Sequence, residues 1–157
     1  MKTLSLWQPW ASLLACGRKR YETRGWATNY RGPLLIHAGK TIATDVPHVL
    51  AQIIEDEFGG HWARDLPRGA LIGSCELISC VPTERIRVDA DERAQGNFTP
   101  GRFAWEIQNG KVFEQPISYR GMQGLFDVSL DANKGAEVGD ELTMCADVIR
   151  ARFGLEE

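Results

Sequence analysis

The chain reads as a single α+β domain over residues 1–157, a small β-barrel of five to six strands with two main helices. Three observations predict this. Short apolar stretches with strand-like alternation recur along the chain, helical periodicity is confined to two places, and glycines and other turn residues punctuate the strand ends. Strands that outnumber helices and do not alternate with them suggest a barrel rather than a parallel sheet. A length of 157 residues is enough for one well-filled core and short for two.

The elements follow in order. Leu4–Leu6 is a short first strand. Pro9 opens a helix, where its missing N–H costs nothing, and Trp10, Leu13 and Leu14 form its apolar face. Gly17 is a fitting stop. Lys19–Trp26 is an extended, charge-rich segment, and Pro33–Ala38 is a buried strand. Asp45 and Pro47 lead into a second helix over His48–Phe58, closed by Gly59-Gly60. Ala70–Val81, after the turn Leu66–Gly69, is the strongest strand pattern in the chain. The polar stretch 82–100 reads as a long loop. Arg102–Gln108 and Lys111–Phe113 flank Asn109-Gly110, a strong hairpin signal. A final strand is expected over Glu141–Arg150, after the turn Val138-Gly139-Asp140.

Composition limits the function classes. With 43% hydrophobic and 25% charged residues the chain is ordinary for a soluble protein. No apolar run approaches the roughly eighteen residues of a membrane helix, and the N-terminus does not read as a signal peptide. The cytoplasm is the expected location, with no membrane association. Cys16, Cys75, Cys80 and Cys145 form no CxxC pair and no zinc-ligand spacing, so free thiols and no metal or cofactor are expected. The net charge of -3 argues against a protein that coats nucleic acid by charge alone. The charge is unevenly placed, however. Residues 1–40 carry Lys2, Arg18, Lys19, Arg20, Arg24, Arg31 and Lys40 against Glu22 alone, and the remainder is net acidic. A local basic patch on an acidic body suits one short polyanion site.

The candidate site residues cluster in that first quarter. Trp7 and Trp10 bracket Gln8-Pro9, and Arg18, Lys19, Arg20, Glu22, Arg24 and Trp26 follow. Aromatic faces stack bases and Lys or Arg hold phosphates, so this interleaving is a nucleic-acid pattern. The plainer reading, which residue type favours for Trp7 and Trp10, is a pair of core aromatics at a strand–helix junction. Glu76 lies mid-strand among apolar residues, so it must be paired or line a cavity. Lys19 or Arg24 would be its partner, in a salt bridge or as an acid–base pair. His37 reads as a structural histidine, and Gln123 in Gly121–Phe126 as a turn residue. There is no phosphate loop, dinucleotide fingerprint or HExxH.

Leu4-Ser5-Leu6-Trp7-Gln8-Pro9-Trp10-Ala11, followed by Gly17-x-Lys19-x-x-Glu22-x-Arg24, resembles the opening of the activating signal cointegrator homology (ASCH) family. Tyr30–Ala38, Gly69–Gly73, Phe103-Ala104-Trp105 and Gly121-x-Gln123-Gly124-Leu125 are similar to later family segments, in the expected order. The resemblance implies a PUA-like fold, like the RNA-binding domain of pseudouridine synthases and archaeosine transglycosylases. It implies a cleft between the first helix and the barrel, lined by the Lys19, Glu22 and Arg24 segment. Members of the family are associated with RNA or DNA binding, ribonuclease activity and hydrolysis of acetylated cytidine. In the amidohydrolase branch the essential groups are a lysine, a threonine and a glutamate. Lys19 matches the lysine and Glu76 the glutamate, but Glu22 stands at the threonine position, a departure from that triad. Thr23 is adjacent and, by strand parity, points the other way.

Two functions follow. The leading one is RNA or nucleotide binding, with Lys19, Arg24 and Arg18 or Arg20 on phosphates and Trp7 or Trp26 stacking. Gln8, Trp10 and Lys40 complete the expected surface; RNA or a modified nucleoside is the expected partner, DNA a further one, and no protein partner is indicated. The alternative is a hydrolase in which Lys19 works with Glu22 or Glu76.

Overall fold

A computed structural model describes residues 1–129. The first strand, β1 (Lys2–Gln8), runs into helix α1 (Trp10–Ala15), then the short strand β2 (Tyr21–Arg24) and the long strand β3 (Gly32–Ile42). Helix α2 (His48–Phe58) and a turn of helix, α3 (Trp62–Asp65), lead to β4 (Ala70–Pro82). A 3-10 turn (Thr83–Arg85) and helix α4 (Ala90–Ala94) precede β5 (Phe103–Ser118) and β6 (Leu125–Asp127).

The strands form one sheet in the order β2-β5-β4-β3-β1-β6. The β1–β3 pair is parallel and every other ladder is antiparallel. The α+β class is therefore as expected, but the barrel is not what the described residues form. No ladder joins β2 to β6, so the sheet stays open over residues 1–129. The expected final strand, Glu141–Arg150, lies outside the described residues.

Alternation along the strands gives the sheet two apolar faces. Leu4, Leu6, Leu34, Ile36, Ile72, Trp105 and Ile107 pack with Ala11, Leu14 and Ala15 of α1. Leu35, Leu71, Phe113, Ile117, Phe126 and Val128 fill the other face. Leu13 turns away from the sheet onto Leu50, Ile53 and Ile54 of α2, which covers α1 from outside. All of Ala11–Ala15 is buried, so α1 is a core helix despite its six residues.

Two expectations are corrected. Asn109-Gly110 is not a hairpin turn, because β5 continues through it and pairs with β4 on both sides (Gln108 with Glu76, Lys111 with Ser74). Asn109 takes φ 54° and the extra residue makes a bulge. The packing explains why. A Cβ on Gly110 would lie 2.8 Å from the Ala15 carbonyl oxygen and 2.9 Å from that of Leu14, so the bulge gives the end of α1 its seat. The stretch 82–100 is not a plain loop either. It holds the 3-10 turn and α4, whose Asp89 cap accepts the Glu92 N–H at 2.8 Å. No helix among the described residues is long and apolar enough to cross a membrane.

Candidate nucleic-acid interface

The short strand β2 carries the site, and residues from distant segments hold it in place. Its inner register pairs Glu22 with Trp105, Thr23 with Ala104 and Arg24 with Phe103. On its open side the Glu92 carboxylate accepts the Arg20 and Tyr21 N–H groups at 2.8 and 2.7 Å. Thr23 Oγ1 accepts the Asn97 N–H at 3.0 Å, and Arg102 Nη2 donates to the Thr23 carbonyl at 3.2 Å. The segment from α4 to the start of β5 is thus a clamp on β2.

Behind the strand lies Lys19, 2% exposed. Its Nζ donates to the carbonyls of Tyr21 at 2.6 Å and Gln95 at 2.8 Å and stands 3.5 Å from Glu22 Oε2. Two hydrogen bonds and one longer ion pair therefore engage the amine from inside the protein. Glu22 Oε1 in turn lies 3.0 Å from Arg24 Nε, close enough for an ion pair, although that N–H is not aimed well enough to count as a hydrogen bond. Arg24 Nη2 donates to the Ser5 carbonyl at 3.0 Å. A buried row Lys19–Glu22–Arg24 therefore runs from the core toward the surface.

The row opens into a cleft of about 400 Å³ between β1, the start of α1 and β2. Trp7, Trp10 and Trp26 wall it, with Glu22, Arg24, Arg102, Ser5, Leu6, Thr23 and Gly25 completing the lining. Trp7 is 56% exposed and Trp26 38% exposed, so the core reading of Trp7 is wrong. Trp10 fits that reading better, half-buried against both helix-side clusters. Trp26 is held edge-on to the fully buried Trp105, ring centroids 4.7 Å apart, and Trp105 Nε1 donates to the Trp26 carbonyl at 3.3 Å.

Five residues picked from the sequence converge on this cleft: Trp7, Trp10, Glu22, Arg24 and Trp26. The others stand elsewhere. Gln8 is fully buried; its Oε1 accepts the Ser12 N–H at 3.1 Å and its Nε2 donates to Ser12 Oγ and the Pro67 carbonyl, both at 2.8 Å. It caps α1 from within and has no group left to face a ligand. Arg18 is paired with Asp91 at 2.8 Å and Glu57 at 3.5 Å, on the α2 and α4 side. Arg20 is exposed 3.8 Å from Glu106 and, with Lys19, borders a second depression of about 260 Å³ next to Gly110. Lys40 is exposed near the end of β3, its stem packing toward Gly69. Glu76 meets neither Lys19 nor Arg24; one oxygen accepts from Asn109 Nδ2 at 3.1 Å.

His37 is buried, with both ring nitrogens engaged inside the protein. Its Nδ1 lies 2.8 Å from Ser5 Oγ and its Nε2 2.7 Å from the Tyr119 carbonyl. Burial lowers its pKa below the usual histidine value, opposed by the bond to Tyr119. Burial likewise pushes the Cys75 thiol up to about 12, and Cys16, Cys75 and Cys80 are all free. No group of three potential metal ligands converges among the described residues.

Sequence reasoning missed Arg102, Glu92, Gln95 and Ser5. Asp89-x-x-Glu92 is a helix-start signal that could have exposed α4, and with it the clamp. Nothing local marks Arg102 or Ser5.

The ASCH domain model matches residues 4–117. The human protein activating signal cointegrator 1 is 30% identical over 140 residues, covering 87% of this chain and 24% of that protein. Its mouse counterpart is 30% identical over 139 residues, with the same coverage. The chain thus spans about a quarter of the length of these relatives. Among solved structures, the ASCH protein of Zymomonas mobilis matches with a TM-score of 0.52 at 15% identity, covering 94% of this chain and 93% of that one, a likeness of fold.

Proposed function

The chain belongs to the ASCH domain family, and on that premise we propose that its tryptophan-walled cleft binds single-stranded RNA or a free nucleotide through one unstacked base. The observation that carries this reading is the meeting of Trp7, Trp10 and Trp26 around Glu22 and Arg24 in a space of about 400 Å³. Pockets of that size take small organic ligands, and unstacked bases are commonly held against aromatic faces. The floor offers both polarities that a base edge needs. The Glu22 carboxylate is an acceptor for ring or exocyclic N–H groups, and the arginine side chains are donors for carbonyl or ring-nitrogen acceptors. Because the Lys19–Glu22–Arg24 row is braced by backbone carbonyls, these groups are preorganised.

Tryptophan fluorescence tests the proposal directly. Titrating a short single-stranded RNA should quench emission, with a fully paired duplex binding more weakly. Trp7→Ala should reduce affinity by about 5- to 150-fold, the equivalent of roughly 1–3 kcal/mol for one stacked base. Trp7 is chosen because it is exposed, so its loss leaves the core intact. Quenching that survives unchanged in Trp7→Ala would place the ligand elsewhere and end the proposal. Single-stranded DNA and mononucleotides, run in parallel, identify the favoured partner.

The hydrolase reading draws on the 3.5 Å approach of Lys19 to Glu22. Conversion of RNA or acetylated cytidine during the titration, lost in Glu22→Gln, would favour it. Lys19 Nζ is turned onto two backbone carbonyls and Glu76 onto Asn109, so neither is aimed at the cleft beside Glu22, and binding is the better supported function.

A further inference from the structure

Ser5 and His37 are register partners on the parallel strands β1 and β3, so their side chains rise on one face of the sheet. Ser5 also lines the tryptophan-walled cleft. From this arrangement we propose that Ser5 is a nucleophile activated by His37, and that the cleft carries out acyl transfer on small esters.

The hydrogen bonds assign the roles. His37 Nε2 lies 2.7 Å from the Tyr119 carbonyl, which only accepts, so the ring proton sits on Nε2. Nδ1 is then the lone pair, and Ser5 Oγ at 2.8 Å is its donor. A hydroxyl donating to an imidazole, whose far side is fixed by a third group, is the arrangement that activates serine. Burial favours the neutral ring, the form that accepts a proton.

The surroundings suit the chemistry. A carbon built on Gly121 would lie 2.7 Å from His37 Nδ1 and 2.9 Å from Ser5 Oγ, and one on Gly39 would lie 3.6 Å from Ser5 Oγ. Gly121 thus packs its main chain directly against the pair, where only glycine fits, and Gly39 is at ordinary contact distance from the hydroxyl, while Ser5 itself stays partly exposed. Arg24 Nη2 donates to the Ser5 main-chain carbonyl at 3.0 Å and lines the same cleft, so a guanidinium donor stands in the space where the ester's own carbonyl oxygen would take up negative charge.

The step balances within these groups and water. Ser5 Oγ bonds to the ester carbonyl carbon as its proton passes to His37 Nδ1. The bond to the leaving oxygen breaks, and His37 returns the proton to it. Water then repeats the sequence on the acyl-serine, releasing a carboxylic acid and restoring Ser5.

A phosphonofluoridate probe gives a readout that needs no substrate assignment. Ser5 Oγ forms a bond to phosphorus as fluoride leaves, and mass spectrometry should find the adduct on the peptide holding Ser5. Ser5→Ala should abolish labelling and hydrolysis of p-nitrophenyl acetate above background. His37→Asn should slow labelling by about 100-fold, the low end of general-base contributions. If His37→Asn loses its circular dichroism signal, Ser5→Cys carries the test. The introduced sulfur should then alkylate with iodoacetamide at pH 7 faster than Cys16, whose thiol is raised by burial. Absence of an adduct in the native chain, equal rates in a folded His37→Asn, or an introduced sulfur slower than Cys16 would each overturn the proposal. RNA titrations on the same preparation separate the two ideas: RNA binding without a Ser5 adduct overturns only the acyl-transfer proposal, and an adduct without RNA binding leaves it standing.

Discussion

Lys19 separates what residue type conveys from what placement conveys. Its charge and its spacing to Glu22 and Arg24 are visible in the sequence, and they correctly point to a shared site. Its burial is not visible, because that depends on the Gln95 carbonyl, 76 residues away. Gln8 fails for the same reason, since its partner Pro67 is 59 residues distant and turns a readable motif into an internal cap. The geometry gives Lys19 a structural role with a measurable consequence. Lys19→Met fills similar volume but leaves two carbonyls without a donor and Glu22 without one of its two cations. Breaking a buried pair by removing one partner costs about 3–5 kcal/mol. For a domain of this length that lowers Tm by on the order of 10 °C. Thermal unfolding followed by circular dichroism checks it; a Tm unchanged within a degree or two would show that the ammonium is not needed for the fold.

At the level of elements, long periodic segments were readable and local exceptions were not. His48–Phe58 forms the helix its pattern predicts, and Ala70–Val81 falls within β4. Asn109-Gly110 carries the right turn chemistry, a residue that tolerates positive φ beside a glycine, yet that chemistry serves a bulge as well as a hairpin. What decides between them is the end of α1 pressing on the strand, a contact between residues nearly a hundred positions apart. The bulge therefore has a steric test. Gly110→Ala would push a methyl carbon to within 2.8–2.9 Å of two helix carbonyl oxygens, and neither is the end of a flexible side chain. Overpacking of this kind costs typically about 1–3 kcal/mol. Gly60→Ala is the internal control, since nothing lies within 4 Å of its added carbon, and a surface change there should stay within about 0.5 kcal/mol. Urea midpoints of the two variants should differ accordingly; equal midpoints would mean that α1 does not need the close approach.

Across the whole molecule, the cationic first quarter looks different once folded. Of its seven basic residues, Lys2 pairs with Asp127, Arg18 with Asp91 and Glu57, and both Lys19 and Arg24 with Glu22. Arg20 stands at the looser distance of 3.8 Å from Glu106. Arg31 and Lys40 are exposed and have no ion pair among the described residues. The acidic body has thus already neutralised most of the patch that the sequence displays, and about two or three of its seven cations, Arg20, Arg31 and Lys40, remain for phosphates. Each phosphate neutralised on a single strand contributes a slope of roughly −0.7 to log Kobs against log salt. The expected slope for RNA is therefore about −2, a loss of roughly 10- to 20-fold in affinity between about 50 and 200 mM salt. Proteins that neutralise six to ten phosphates on duplex DNA lose about 10³–10⁵ over the same range. A measured slope near −6 would mean that the protein grips the backbone along a track, and the cleft would be incidental to binding. A slope near zero with Trp7→Ala still weakening the complex would mean that the base alone is held, and a free nucleotide or nucleoside would then be the preferred ligand over a strand.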